Sequence, residues 1–311
     1  MPCIVQIPNF RHRLEAAGTP RLPALERLLA RGRRLPDTSS AALLAPLFGL
    51  EATSFAPAPF MRLGDTGARD ARWWMRADPV HLAPDRDQLL LLPGELLQAG
   101  RHETDALAEG FNDLYGAEGW RLEMGDTLRG YLRTPRRFDA VTHDPGPIAG
   151  QPVLESMPGG PDGAALRRLM NEVQMLFHTH PVNQAREEAG QPLINSLWLW
   201  GGGILPAFTG RAPAQVAAST PLLRGLALWA GREPGPLKDA AGLKPDSLVS
   251  LEAHDLQALE RDWFVPLFDL LRAGKLDSLT LQLGGMGTFA LTPAGARRFW
   301  RRRRAISDYL A

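Results

Sequence analysis

The sequence lacks most of the features that would assign it to a class at once. Its 311 residues include one cysteine, Cys3, so an intramolecular disulfide and a cysteine-based zinc site are excluded. No stretch approaches the roughly 18 apolar residues of a membrane-spanning helix, and the first residues, MPCIVQIPNFRHRL, lack the pattern of a secretory signal. We therefore expect a cytoplasmic protein with no membrane partner.

An excess of charge of one sign is also missing. The chain has 35 basic and 34 acidic residues and a formal net charge of +1, so no global field points to a nucleic-acid partner. The one dense basic segment is Arg297–Arg304, in which arginines surround Phe299 and Trp300. Such a segment could hold phosphates or stacked bases. It could equally be a solvated end whose two aromatic rings pack on the body, and the near-neutral net charge favours this second interpretation.

Several short catalytic motifs are absent. The sequence contains no GxSxG, HExxH or EF-hand pattern. Gly201–Gly203 follows an apolar run but is not followed by GK[ST], so it is not a Walker loop, and we interpret it as a tight turn after a buried strand. The apolar content of 44% and the length indicate a globular protein with one large domain and an inserted or appended lobe.

The spacing of apolar residues predicts an α/β fold. Ser247–Glu252 and Ser278–Leu283 are predicted strands, and the helical spacing over His254–Ala273 between them makes the pair parallel. Other predicted strands lie at Gln88–Leu92, Ile194–Trp200 and Leu226–Ala230, and other predicted helices at Leu22–Ala30 and from Asp162 to Phe177. The pattern indicates a central, mostly parallel sheet flanked by helices.

Two polar clusters are candidate sites. The first contains imidazole, amide and guanidinium groups, which together favour a small phosphorylated or carboxylated ligand; its members are His178, His180, Asn183, Arg186 and Asn195. The same groups also commonly satisfy free carbonyls at a helix end. Two histidines without a nearby carboxylate are too few ligands for a metal site, so we expect no metal at this cluster.

The second cluster follows two tryptophans and consists of Arg76, Asp78 and His81. These side chains could bind a metal or position a substrate. Alternatively, they could cap the turns of a loop. The residues themselves leave both possibilities open.

These motifs together resemble the archaeal-type cofactor-independent phosphoglycerate mutases of the alkaline phosphatase superfamily, and most closely their bacterial RpfE-type regulatory protein branch. The most specific part of this resemblance is the segment 171–203. It contains HPVN, then an Arg, then a Gly, and then an Asn before an apolar strand. Thr19–Gly32 resembles the early helix of the family, and Ser39–Glu51 the segment with its nucleophilic serine. The resemblance implies an alkaline-phosphatase-like α/β core over 1–71 and 162–311, with 72–161 as an inserted smaller α+β lobe.

In that family, Asp and His residues hold two divalent cations, usually manganese, that activate a serine; the resemblance places this nucleophile at Ser40. Several ligand positions depart from the pattern: Ile7–Phe10 replaces an Asp-Gly motif, Ala41 an Asp, and Gly284–Gly285 an Asp-His pair. We therefore expect a mutase-like protein that has lost the two-metal centre and that binds a small anionic ligand in a regulatory role. On this expectation the sequence assigns no cofactor.

Two alternatives stay open. The chain could be an active metal-dependent phosphomutase or phosphatase with a substitute site built from Asp78, His178, His254 and Asp255. It could instead be an interaction module that contacts an acidic protein partner or a nucleic acid through Arg297–Arg304.

Overall fold

The computed structural model describes residues 3–36, 43–85, 88–125, 128–252 and 254–310. The chain divides into two compact units: Met1–Phe55 with Phe208–Ala311 form the first, and Ala56–Ala207 the second. None of the helices in the described ranges combines the length and the apolar composition that a membrane span requires.

Strands and helices alternate along the chain in the first unit, whereas the second unit is richer in antiparallel strands. The strands are β1 (Cys3–Ile7), β2 (Arg33–Arg34), β3 (Trp73–Asp85), β4 (Gln88–Pro93), β5 (Arg121–Met124), β6 (Gly130–Arg133), β7 (Ser196–Ile204), β8 (Gln215–Ala217), β9 (Ser247–Ser250), β10 (Leu279–Leu283) and β11 (Gly287–Leu291). The helices are α1 (Phe10–Ala16), α2 (Pro23–Arg31), α3 (Pro57–Thr66), α4 (Arg101–Tyr115), α5 (Gly163–His178), α6 (Pro181–Glu188), α7 (Pro221–Trp229), α8 (Leu256–Leu259), α9 (Val265–Arg272) and α10 (Pro293–Ala296).

The first unit is built on one sheet with the strand order β2-β11-β10-β1-β9-β8. The pairs β1–β10, β1–β9 and β8–β9 are parallel, whereas β11 and β2 continue one edge antiparallel. All five residues of β1 are buried, as expected for a central strand covered on both faces. The predicted α/β class, with a mostly parallel sheet flanked by helices, is confirmed.

The predicted crossover helix between β9 and β10 is also confirmed. It runs through α8, a π-helical turn at Glu260–Phe264 and α9, and its apolar face joins the core of the sheet. The buried Glu260 carboxylate accepts hydrogen bonds from the backbone nitrogens of Ala24 and, at 3.2 Å, Leu25. It therefore satisfies free donors at the start of α2.

The second unit is built on an antiparallel sheet around the long strand β3. Strand β7 pairs with one edge of β3, while β6 and β4 pair in succession with the other. Glycines 201–203 lie inside β7 and do not form the predicted tight turn. Gly202 is required there because a Cβ atom would overlap the Trp73 ring.

Two sequence expectations differ from this structure. Leu226–Ala230 does not form a strand but belongs mostly to α7, which starts with Pro221 and buries Leu223, Leu226 and Ala227 on one face. The second unit also extends beyond the expected 72–161, because β7 pairs with β3 over Trp73–Val80 and helix α5 packs in the same core.

Glycine is needed where β6 approaches β3. A Cβ atom on Gly130 would overlap the backbone oxygen of Ala77, so we expect Gly130→Ala to destabilise the protein by about 3 kcal/mol. The control is Gly116→Ala, where the space is open, and which should be neutral or up to about 1 kcal/mol more stable. Urea unfolding measures both. Equal midpoints for the two variants would contradict this packing.

Candidate functional site

Asn183 joins the end of α5 to the start of β7. Its Nδ2 donates to the carbonyl oxygens of Phe177 and Ile194, both at 2.8 Å, and its Oδ1 accepts from the Ile194 nitrogen at 2.9 Å. The side chain is buried. Its hydrogen-bonding groups therefore connect the end of α5 to the segment before β7, whereas the sequence predicted that they contact a ligand.

Arg186 has a similar position on α6. Its Nε donates to the Pro192 oxygen at 2.8 Å, its Nη2 to the Leu97 oxygen at 2.8 Å, and its Nη1 to both Glu103 carboxylate oxygens at 2.9 and 3.0 Å. Only 2% of the residue is exposed. Burial alone would raise the pKa of Glu103, but hydrogen bonds from the Gly100 amide and Arg186 outweigh it and lower this pKa.

Two of the remaining members of the first cluster, Asn195 and His180, contact the backbone of the second unit. Asn195 bonds the nitrogen and oxygen of Leu82 at 2.7 and 3.0 Å. His180 is the N-cap of α6, with its Nδ1 3.3 Å from the Val182 nitrogen. His178 ends α5 and is exposed. Ligand binding by this cluster stays a prediction.

The second cluster lies on strand β3 and not in a loop. Arg76 donates from Nε to Asp78 Oδ1 at 3.0 Å, and the other Asp78 oxygen accepts from Trp200 Nε1 at 2.8 Å. The buried guanidinium lies 5.2 Å from the Tyr131 ring centre and 5.4 Å from that of Trp200. The charge pair and two aromatic faces hold Arg76 in place. His81, further along β3, contacts the Leu193 oxygen through Nδ1 at 2.8 Å.

Sequence reasoning missed a buried carboxylate beside this pair. Asp65, on α3, accepts from Arg129 at 2.7 and 2.8 Å and from the Tyr131 hydroxyl at 2.6 Å. Desolvation by burial would raise the pKa of Asp65, but these hydrogen bonds outweigh it and lower the pKa. A signal was present, because Asp65 follows Leu63 and Gly64 on the buried side of an amphipathic helix.

The carboxyl ends of the parallel strands form the other place where a ligand is expected in such a sheet. Here the turn after β10 packs closely on the turn after β1: Gly284 donates to Ile7 O and accepts from Arg11 N, both at 2.9 Å. A Cβ atom on Gly284 would lie 2.6 Å from the Asn9 nitrogen. One on Gly285, whose φ is +80°, would lie 2.8 Å from Arg11 Cβ. Neither position has room for a carboxylate or an imidazole.

A cavity of about 380 Å³ opens at this edge, in the first unit. Its polar side chains are Gln6, Arg34, Gln282 and Thr288, and Gln6 Nε2 donates to Gln282 Oε1 at 2.6 Å. No acidic side chain occurs among the described residues that line it. Sequence reasoning missed these glutamines, although their position near the carboxyl ends of two parallel strands was a usable signal. Ser40, the predicted nucleophile, lies outside the described residues.

Several of the residues proposed for a substitute metal site are engaged by neighbouring groups. Across the described ranges, no group of three or more His, Cys, Asp or Glu residues is placed to hold a metal ion. Of the proposed substitute ligands, exposed His254 pairs with Glu252, and Asp255 caps α8 by accepting from Gln257 N and Ala258 N at 2.9 and 3.0 Å. Asp78 is engaged by Arg76 and Trp200 in the second unit.

Comparisons with known proteins agree with the resemblance at a coarse level. No protein-family model matches the chain. The chain is 28% identical over 271 residues to a probable 2,3-bisphosphoglycerate-independent phosphoglycerate mutase of Geobacter sulfurreducens, covering 78% of this chain and 66% of that protein. It is 32% identical over 147 residues to the 2,3-bisphosphoglycerate-independent phosphoglycerate mutase of Methanosarcina barkeri, covering 45% of this chain and 37% of that one.

Among solved structures, the cofactor-independent phosphoglycerate mutase from Thermoplasma acidophilum superposes with a TM-score of 0.46 at 18% identity, covering 100% of this chain and 95% of that chain. The sequence matches span 66% and 37% of the two curated relatives. By its sequence matches, the chain is similar to proteins named as phosphoglycerate mutases. Membership of the RpfE-type branch stays a prediction.

The internal role of Arg186 can be tested by stability. Arg186→Ala leaves Glu103 without its guanidinium partner, so we expect a loss of about 3 kcal/mol or more in the free energy of unfolding. The matched control is Arg168→Ala, which removes an exposed i,i+4 pair with Glu172 and should cost about 0.5 kcal/mol or less. Similar losses in both variants would contradict a structural role for Arg186.

The lowered pKa of Asp65 predicts a pH dependence. The native state favours the Asp65 carboxylate, so its stabilising effect is present above the ordinary carboxyl pKa of about 4 and is lost as pH falls through the lowered native value. Wild type should therefore be more stable than Asp65→Asn at pH 7, with the difference shrinking below about pH 4. Denaturant unfolding across this range measures the difference. A constant difference down to acid pH would argue against this assignment.

Proposed function

We propose that this chain is a phosphoglycerate-mutase-like protein that has lost the two-metal centre and binds a small phosphorylated or carboxylated ligand in a regulatory role. The observation that carries the proposal is the closely packed turn at Gly284–Gly285, beside a cavity whose charged lining residue is Arg34. The similarity to named phosphoglycerate mutases supports the choice of ligand class.

The lining of the cavity supports an anion. A guanidinium can bind two oxygens of a carboxylate or phosphate at once, which a single ammonium cannot do. The amide nitrogens of Gln6 and Gln282 each carry two hydrogens, and the bond between them uses one. A volume of about 380 Å³ is at the small end of ligand cavities, which suits a compact molecule.

The same geometry argues against phosphoryl transfer at this edge. A two-metal centre holds the attacking and leaving oxygens in line and neutralises the charge that develops between them. Glycine at 284 and 285 supplies no side-chain ligand for such a centre, and the charged side chain that lines the cavity is the guanidinium of Arg34. On this proposal the protein binds its ligand and releases it unchanged.

Calorimetric titration of the full chain with 3-phosphoglycerate, in the presence of a metal chelator, tests the proposal. Arg34→Ala should weaken binding roughly tenfold or more, because a charge-assisted hydrogen bond is lost. Arg33→Ala is the matched control: it removes the same charge from the neighbouring residue of β2, which lines a different cavity, and should change the Kd less than about twofold. Absence of binding by wild type, or equal losses in both variants, would overturn the proposal.

A further inference from the structure

A second feature of the first unit is a groove lined by arginines, formed by β2 and the segment after α10. One part, of about 490 Å³, is lined by Arg34, Arg301, Arg302, Arg304 and Tyr309 among others. The adjoining part, of about 340 Å³, is lined by Arg31, Arg33, Arg298 and Arg301 among others. Arg301 and Gly32 line both parts, so the two parts are neighbours, and we call them together the arginine groove.

The positive charge of the arginine groove is poorly balanced by its surroundings. No acidic side chain occurs among the described residues that line its two parts. Arg303, between the lining residues Arg302 and Arg304, pairs with Glu26 at 3.3 Å, and that buried carboxylate is already paired with Arg21 at 2.7 Å. An anionic ligand would relieve the repulsion among these guanidinium groups.

Arg31 adds a second, independent observation. Its Nε is buried and has no hydrogen-bond partner among the described residues, although the residue lines the arginine groove. Desolvation first, and then the charges of Arg27 and Arg272, lower the pKa of Arg31. A buried donor without a partner has a cost that an incoming acceptor would remove.

Two largely exposed aromatic rings lie between Arg298 and Arg301, two residues that line the groove. Phe299 is 81% exposed and Trp300 65% exposed, and they meet edge to face with ring centres 5.3 Å apart. The sequence-based expectation that these rings pack on the body is therefore wrong. Exposed aromatic rings next to arginines are the usual means by which proteins stack the bases of unpaired strands.

We propose that the arginine groove binds single-stranded nucleic acid, with Arg301 and Arg302 contacting phosphates and Phe299 and Trp300 stacking on bases. The concave shape favours a flexible chain as the ligand, because a chain can enter the groove. A flat lipid surface would contact only the rim of the groove. With a net charge of +1 the chain has no strong global field, so the attraction has to come from local clusters of arginines such as this groove. The small-ligand cavity at Gln6 and Gln282 shares Arg34 with this groove, but Arg301 and Arg302 do not line that cavity.

Fluorescence anisotropy of a labelled oligothymidylate of roughly 12 nucleotides, titrated with the full chain at several salt concentrations, tests the proposal. The double variant Arg301→Ala/Arg302→Ala should weaken binding roughly tenfold and reduce the slope of log K against log salt by about 1.4, for two lost phosphate contacts. The control, Arg121→Ala/Arg168→Ala, removes two exposed arginines of the second unit and should leave both quantities unchanged.

A second pair of variants tests the aromatic rings. Phe299→Ala/Trp300→Ala should weaken binding of the single strand roughly tenfold without altering the salt slope, because stacking is not a counterion effect. Arg34 is unchanged throughout, so these results are independent of the small-ligand cavity. Losses of equal size in the Arg121/Arg168 control, duplex bound as tightly as single strand, or binding to phosphatidylglycerol vesicles but not to the oligonucleotide would each overturn the proposal.

Discussion

The contact between two turns determines what the carboxyl edge of the parallel sheet can carry. The turn after β10 lies so close to the turn after β1 that a side chain on Gly284 would overlap the backbone at Asn9. These are the positions at which an α/β sheet normally presents ligand-binding groups. Because glycine occupies them, the cavity beside this turn is lined by the amides of Gln6 and Gln282, the guanidinium of Arg34 and the hydroxyl of Thr288. Our proposal of anion binding without a two-metal centre depends on this contact.

The second unit uses its polar residues differently, to connect its own elements. Asn183 and Arg186 tie α6 to the neighbouring backbone, and Arg76 is held by Asp78 between two aromatic rings. Buried polar groups of this kind stabilise a unique packing when each has its partners, and they are costly when one partner is removed. The motif most similar to the mutases therefore has a structural explanation that is independent of any ligand.

Much of the fold could be predicted from the sequence, because apolar spacing reports burial directly. It predicted β9, β10 and the helix between them, and it placed α2 and α5 correctly. It failed at Leu226–Ala230, where five residues are too few to separate a strand from a buried helix. The site was harder to predict, since residue type does not reveal whether a buried arginine is already paired. The arginine groove likewise requires β2 and the C-terminal segment to be placed together, and the two are far apart in sequence.

The central claim is that this scaffold binds its ligand without converting it. The most direct measurement is the interconversion of 2- and 3-phosphoglycerate by the purified full chain in saturating manganese. We predict no conversion above the rate without protein, because Gly284 and Gly285 leave no room, at these two positions, for the metal-ligand side chains that the resemblance implies. Manganese-dependent conversion that disappears in Ser40→Ala would contradict the account.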